Sequence, residues 1–100
     1  MKLSSHHILE FITTHQPEIE RFGVSKLGLF GSFVRNEQTP ESDIDILVEY
    51  KPGTKSFDNF IGLIDYLENS LGRNIELVTP ESLSPLIRPY IEKEIQYVQF

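Results

Sequence analysis

A chain of 100 residues suits one domain around one core, and 39% hydrophobic with 24% charged residues is an ordinary globular balance. A formal net charge of −6 excludes the broad basic face that grips nucleic acid, so no direct nucleic-acid binding is expected, while a small nucleotide site assisted by a cation stays open. The absence of cysteine excludes disulfides, zinc–thiolate sites and cysteine nucleophiles; with no apolar leader and no run near ~18 apolar residues, the expectation is a cytoplasmic protein of one domain over 1–100, with no membrane span.

A first helix is expected from Ser4 or Ser5, whose hydroxyls suit an N-cap, because Ile8, Phe11, Ile12 and the stem of His15 recur at helical spacing. His6, His7 and His15 show no ligand spacing and read as helix surface or edge positions. Pro17 opens a second short turn and Gly23 ends it. Val24 to Phe30 reads as a strand, and Gly31-Ser32 falls where that strand gives way to a helix. Residues 36–42 are rich in turn formers. Asp43 to Tyr50 alternates and is β-branched, so it reads as a strand, closed by Lys51-Pro52-Gly53.

Phe57, Phe60, Ile61, Ile64, Leu67 and Leu71 form a helical stripe that reads as core, capped by Ser56 and ended by Gly72. Asn74 to Thr79 reads as another strand. A last helix is expected over much of 82–95, with Pro85 in its first turn and Pro89 interrupting its interior. The tail from Gln96 to Phe100 fits either a short strand or the end of that helix. This alternation of elements predicts an α/β (α+β) fold.

The chemistry is concentrated in Gly31-Ser32, ten intervening residues, and Asp43-Ile44-Asp45. In a strand, Asp43 and Asp45 point to one face while Ile44, Ile46 and Val48 point to the other. Two adjacent anions repel, and a hard divalent cation with oxygen ligands relieves them. The glycine allows close backbone approach to a ligand, and N–H groups at a helix start make an anion site suited to phosphates. Ser32 adds a hydroxyl, and Arg35 adds a planar guanidinium within reach of the same phosphates. Glu76 alternates with Ile75 and Leu77, so in a neighbouring strand it would lie beside Asp43 and Asp45 as a third acid. Three carboxylates around two metals suit in-line phosphoryl transfer.

Each feature also has a plainer reading. Gly31-Ser32 alone fits a helix cap, Asp43 fits a turn residue after Ser42, and Glu76 fits a solvated strand face. Arg35 would be explained as well by a salt bridge to Glu37, Glu41 or an aspartate. Together at fixed spacing, the glycine, serine and aspartates arise by chance in roughly one 100-residue chain in a thousand.

Gly31-Ser32-x10-Asp43-x-Asp45 resembles the signature of the polymerase-β-like nucleotidyltransferase superfamily, and the chain looks like its smallest branch, the minimal nucleotidyltransferases (MNT). The resemblance runs from about Leu27 to Val98 and includes Arg88 to Glu94. It implies a short mixed β-sheet with helices packed mainly on one face. It also implies triphosphate binding by Gly31 and Ser32, two Mg²⁺ ions (or Mn²⁺) on Asp43 and Asp45, and Glu76 as the third acid. Many such proteins are antitoxins paired with a HEPN-domain toxin, to whose tyrosine they transfer AMP from ATP. The sequence departs from the family pattern in having Glu76 where Asp is usual, and Asn36 where Gly often follows the motif arginine. The alternative is a binding module that neutralises the partner by complex formation without chemistry.

Overall fold

The computed structural model describes residues 3–100. Two helices come first, α1 (Ser5–Thr14) and α2 (Gln16–Glu20), followed by β1 (Val24–Phe30), β2 (Ile44–Tyr50) and α3 (Phe57–Leu71). Then come β3 (Ile75–Val78), α4 (Arg88–Glu94) and β4 (Gln96–Gln99). The strands form one mixed sheet in the order β3-β2-β1-β4, with β1 antiparallel to both β2 and β4, and β2 parallel to β3. This is the α/β arrangement, helices mainly on one face, that the resemblance implied.

Residue alternation sorts the sheet into two faces. Leu27 and Leu29 of β1, Ile44, Ile46 and Val48 of β2, and Ile75 and Leu77 of β3 are buried on one face against Ile8, Ile12, Ile19, Leu63 and Leu67 of the first three helices. Burying one such side chain contributes about 1.5–3 kcal/mol. The opposite face is set by the pairs Phe30↔Asp45, Gly28↔Leu47 and Asp45↔Glu76. The core face therefore holds the sheet to its helices, and the chemistry-bearing residues are left on the other.

Local signals explain most element ends. Ser4 accepts from the His7 N–H to cap α1, and Ser56 accepts from the Asn59 N–H to cap α3. Gly72, at φ 69°, takes the left-handed closing position of α3 that favours glycine. Asn36, at φ 58°, adopts the left-handed conformation that the family's usual glycine would supply.

Four expectations need correction. After Gly31 the chain makes one 3₁₀ turn (Gly31–Phe33), not an α-helix, because the Ser32 carbonyl accepts from the Glu37 N–H and folds the segment into the following turn. The buried face of α3 includes Leu63 and Leu67, whereas Phe57 is 77% exposed, since its place in the first turn lies beyond the edge of the sheet-facing stripe. The last helix starts at Arg88, so Pro89 sits in its first turn, where a proline lacks no needed N–H. Pro85 lies in the connection before that helix, not in its first turn. The tail from Gln96 takes the strand, one of its two expected forms.

Candidate active site

β1 ends at Phe30, and the 3₁₀ turn carries Gly31 to the edge of the face opposite the core. Gly31 has φ 82°, and a Cβ built on it would overlap the Asp45 carboxylate. Glycine is thus required twice, by backbone conformation and by the approach of Asp45. Asp45 pairs with Phe30 on one side and with Glu76 on the other, so the parallel β2–β3 register aligns the two carboxylates.

Gly31, Arg35, Asp45 and Glu76 line one cavity of about 420 Å³. Phe30 and Val78 contribute to its floor, and Leu83, Ile87, Tyr90 and Ile91 contribute an apolar wall from α4 and the connection before it. Ser32 does not line this cavity. Asp43 is exposed just before β2 begins and lines a neighbouring depression with Ser42, Glu68 and Arg73. Four of the six residues singled out by sequence are therefore brought together, and two stand beside them.

The electrostatics of the cavity are dominated by crowded acids. Burial pushes the Asp45 carboxyl from the ordinary 3.8 up to about 6; its hydrogen bond and charge repulsion with Glu76 and the charge of Asp43 add to this, and Arg35 opposes it. Arg35 alone does not offset the burial and the neighbouring acids. Oxygen donors at Asp45 and Glu76, with Asp43 close enough to raise the Asp45 pKa, fit a hard divalent cation. Among the described residues, no three His, Cys, Asp or Glu side chains are gathered closely enough to hold a metal ion in this conformation.

One member of the site escaped sequence reasoning. Glu94, the last residue of α4, accepts from the Gly31 N–H at 2.6 Å and from Arg35 Nη1 at 2.8 and 3.1 Å. Arg35 also donates from Nε to Glu37 at 2.8 Å, the ion pair that offered its plainer explanation. Glu94 lies 63 residues from Gly31 in sequence, and no local periodicity signals such a contact.

The fold and this cavity define a class of nucleotide-handling enzyme, and comparisons with known proteins agree. The Nucleotidyltransferase domain family matches residues 13–98, and this chain belongs to that family. It is 41% identical over 97 residues to the protein adenylyltransferase MntA of Thermococcus cleftensis, covering 96% of this chain and 97% of that protein. Its fold superposes on a solved structure described as a minimal nucleotidyltransferase with a TM-score of 0.78, at 24% identity, covering 94% of this chain and 95% of the other. A chain in the complex of a tri-AMPylated Shewanella oneidensis HEPN toxin with its MNT antitoxin shares the fold at a TM-score of 0.55 and 20% identity, covering 85% of this chain and 69% of that one. As an enzyme, the chain is a nucleotidyltransferase.

Proposed function

We propose that this protein is an antitoxin that transfers AMP from ATP to a hydroxyl, a tyrosine side chain, of a HEPN-domain toxin, working in the cytoplasm as a single minimal domain. The observation that carries the reading is the shared cavity: an N–H donor and a guanidinium at Gly31 and Arg35 stand beside the paired carboxylates of Asp45 and Glu76. The relative MntA of Thermococcus cleftensis, named a protein adenylyltransferase, supports a protein acceptor. The AMPylated HEPN toxin bound to an MNT antitoxin supports the partner class.

In this reading the Gly31 N–H, the Ser32 hydroxyl and Arg35 hold the triphosphate. Asp43, Asp45 and Glu76 would hold two Mg²⁺ ions, or Mn²⁺, which when bound neutralise the phosphate oxygens and favour ionisation of the acceptor hydroxyl. The acceptor oxygen forms a bond to the α-phosphorus and the bond to the bridging oxygen of the β-phosphate breaks. Pyrophosphate leaves, and in this reading Glu76 takes the hydroxyl proton. The apolar side chains of Leu83, Ile87, Tyr90 and Ile91 line the cavity beside these polar groups.

The test is the intact mass of the partner. The protein is co-purified with its HEPN partner and given Mg²⁺ and ATP. The expected result is a gain of one or more AMP units, absent with Asp45→Asn. No gain, with the complex intact, removes the transferase reading.

A second reading has an observation of its own. Leu86 is 84% exposed and Tyr90 is 73% exposed, which leaves apolar surface at the rim of the site. A binding module that silences the toxin by occlusion would use such a surface without chemistry. An Asp43→Asn/Asp45→Asn variant separates the two readings: protection of cells equal to wild type favours occlusion, and loss of protection favours transfer.

A further inference from the structure

The donors that the proposed function assigns to the triphosphate already have an acidic partner. One carboxylate, that of Glu94, takes the Gly31 N–H at 2.6 Å and forms a two-oxygen contact with Arg35 Nη1 at 2.8 and 3.1 Å. Its side chain is only 20% exposed. A carboxylate with both oxygens engaged by an N–H and a guanidinium is chemically equivalent to two oxygens of a bound phosphate.

The placement is not explained by charge alone. Glu94 lines the same cavity as Asp45 and Glu76, where a further anion is unfavourable, and it is held there by the two donors. Gly31 lacks a side chain and is buried, so its N–H can serve only one close anion at a time. Glu94 and a phosphate of the nucleotide therefore compete for one position.

We infer that Glu94 is an internal occupant of the triphosphate subsite, displaced when the nucleotide binds, and that it sets the affinity of the site. This inference rests on the assignment of Gly31 and Arg35 to the triphosphate. One phosphate of the nucleotide offers the oxygens needed to replace the Glu94 carboxylate on both donors. After transfer, Glu94 returns to Gly31 and Arg35 as pyrophosphate leaves, and it disfavours rebinding of that product. The displaced carboxylate also releases the end of α4, whose Tyr90 and Ile91 line the cavity together with Ile87 just before the helix.

An internal competitor lowers apparent affinity in proportion to the fraction of molecules it leaves open. If Glu94 closes about nine molecules in ten, its removal tightens binding roughly tenfold. The experiment is calorimetric titration of the partner-free protein with two probes, a non-hydrolysable ATP analogue with Mg²⁺ and inorganic tripolyphosphate. Glu94→Gln keeps the shape and an acceptor for Gly31 while removing the charge; Glu94→Ala removes both. Both are expected to bind both probes about tenfold tighter, and Glu92→Gln, an exposed position on the same helix, is expected to bind as wild type does. Melting curves confirm that each variant is folded. In an Arg35→Ala background the gain from Glu94→Gln is expected to shrink, because the contested guanidinium is gone.

Unchanged or weaker binding by Glu94→Gln, with wild-type binding still dependent on Arg35, overturns the inference and makes Glu94 a positioning residue for that arginine. Binding that is indifferent to Arg35 in every background removes the phosphate assignment itself, and the inference falls with it.

Discussion

At Asp45, the requirements of folding and of chemistry conflict. The folded chain raises this carboxyl from 3.8 to about 6, first by burial and then through Glu76 and Asp43. Between those two pH values the folded state keeps a proton that the unfolded state has lost. Stability therefore falls as pH rises through the window, and the full cost persists above it. Asp45 is only half-buried, so solvent screening makes that cost small. The expected outcome is that metal-free Asp45→Asn melts higher than wild type at pH 7.5, by about 3 °C, with the difference closing near pH 4. The proposed AMP transfer is expected to drop at least ~100-fold, since a neutral amide would replace the anion proposed to hold the cation. Melting curves at the two pH values, paired with the mass assay, check both halves. A variant that melts lower at pH 7.5 would mean that Asp45 is stabilised by contacts that outweigh its crowding.

At the scale of the elements, Gly28 connects the sheet to the segment that carries Glu94. A Cβ at Gly28 would meet Ile95 Cγ1 at 2.7 Å and Tyr97 Cδ1 at 2.9 Å, so the C-terminal segment lies directly on β1 there. Gly28→Ala is expected to lift that segment, costing about 1–3 kcal/mol as overpacking does. Amide exchange in β4 is expected to accelerate while that of α3 is less affected, and hydrogen-exchange mass spectrometry reads the difference. Equal acceleration in both would show global loosening instead. The same segment marks the limit of what the sequence discloses. Strands β1, β2 and β3 were legible because alternation of apolar and polar residues is a local pattern. The facing of Asp45 and Glu76 followed once the strands were neighbours. The start of α4 was not legible, because Pro89 reads as a breaker unless the helix is known to begin at Arg88. That start is fixed from outside the helix: the Arg88 guanidinium donates to the Pro80 carbonyl, and a capping box joins Thr79 and Ser82. The contact of Glu94 with Gly31 was hidden for the same reason, since it exists only when α4 is docked. The 3₁₀ turn after Gly31 was misread as a helix because a strand followed by Gly-Ser carries no local signal of how many turns come next.

At the scale of the whole molecule, a net charge of −6 surrounds the site proposed to take a ligand with several negative charges. Coulombic repulsion opposes nucleotide entry, and Gly31 and Arg35 alone supply too little positive charge to reverse it. A divalent cation changes the sign of the local field at the acids. ATP with Mg²⁺ is therefore expected to raise the melting temperature, and ATP with a chelator is expected to have almost no effect. A ligand at 100 times its dissociation constant adds about 2.7 kcal/mol, provided that it binds only the native state. For a domain of this length that corresponds to a rise on the order of 10 °C. Higher salt is expected to reduce the rise, because the contacts are ionic and partly exposed. The Asp43→Asn/Asp45→Asn variant decides where the ligand sits. If its melting temperature no longer responds to Mg²⁺ and ATP, the acids at the head of β2 hold the cation. If it responds as fully as wild type does, the nucleotide binds elsewhere on the molecule, and the cavity beside Gly31 has another purpose.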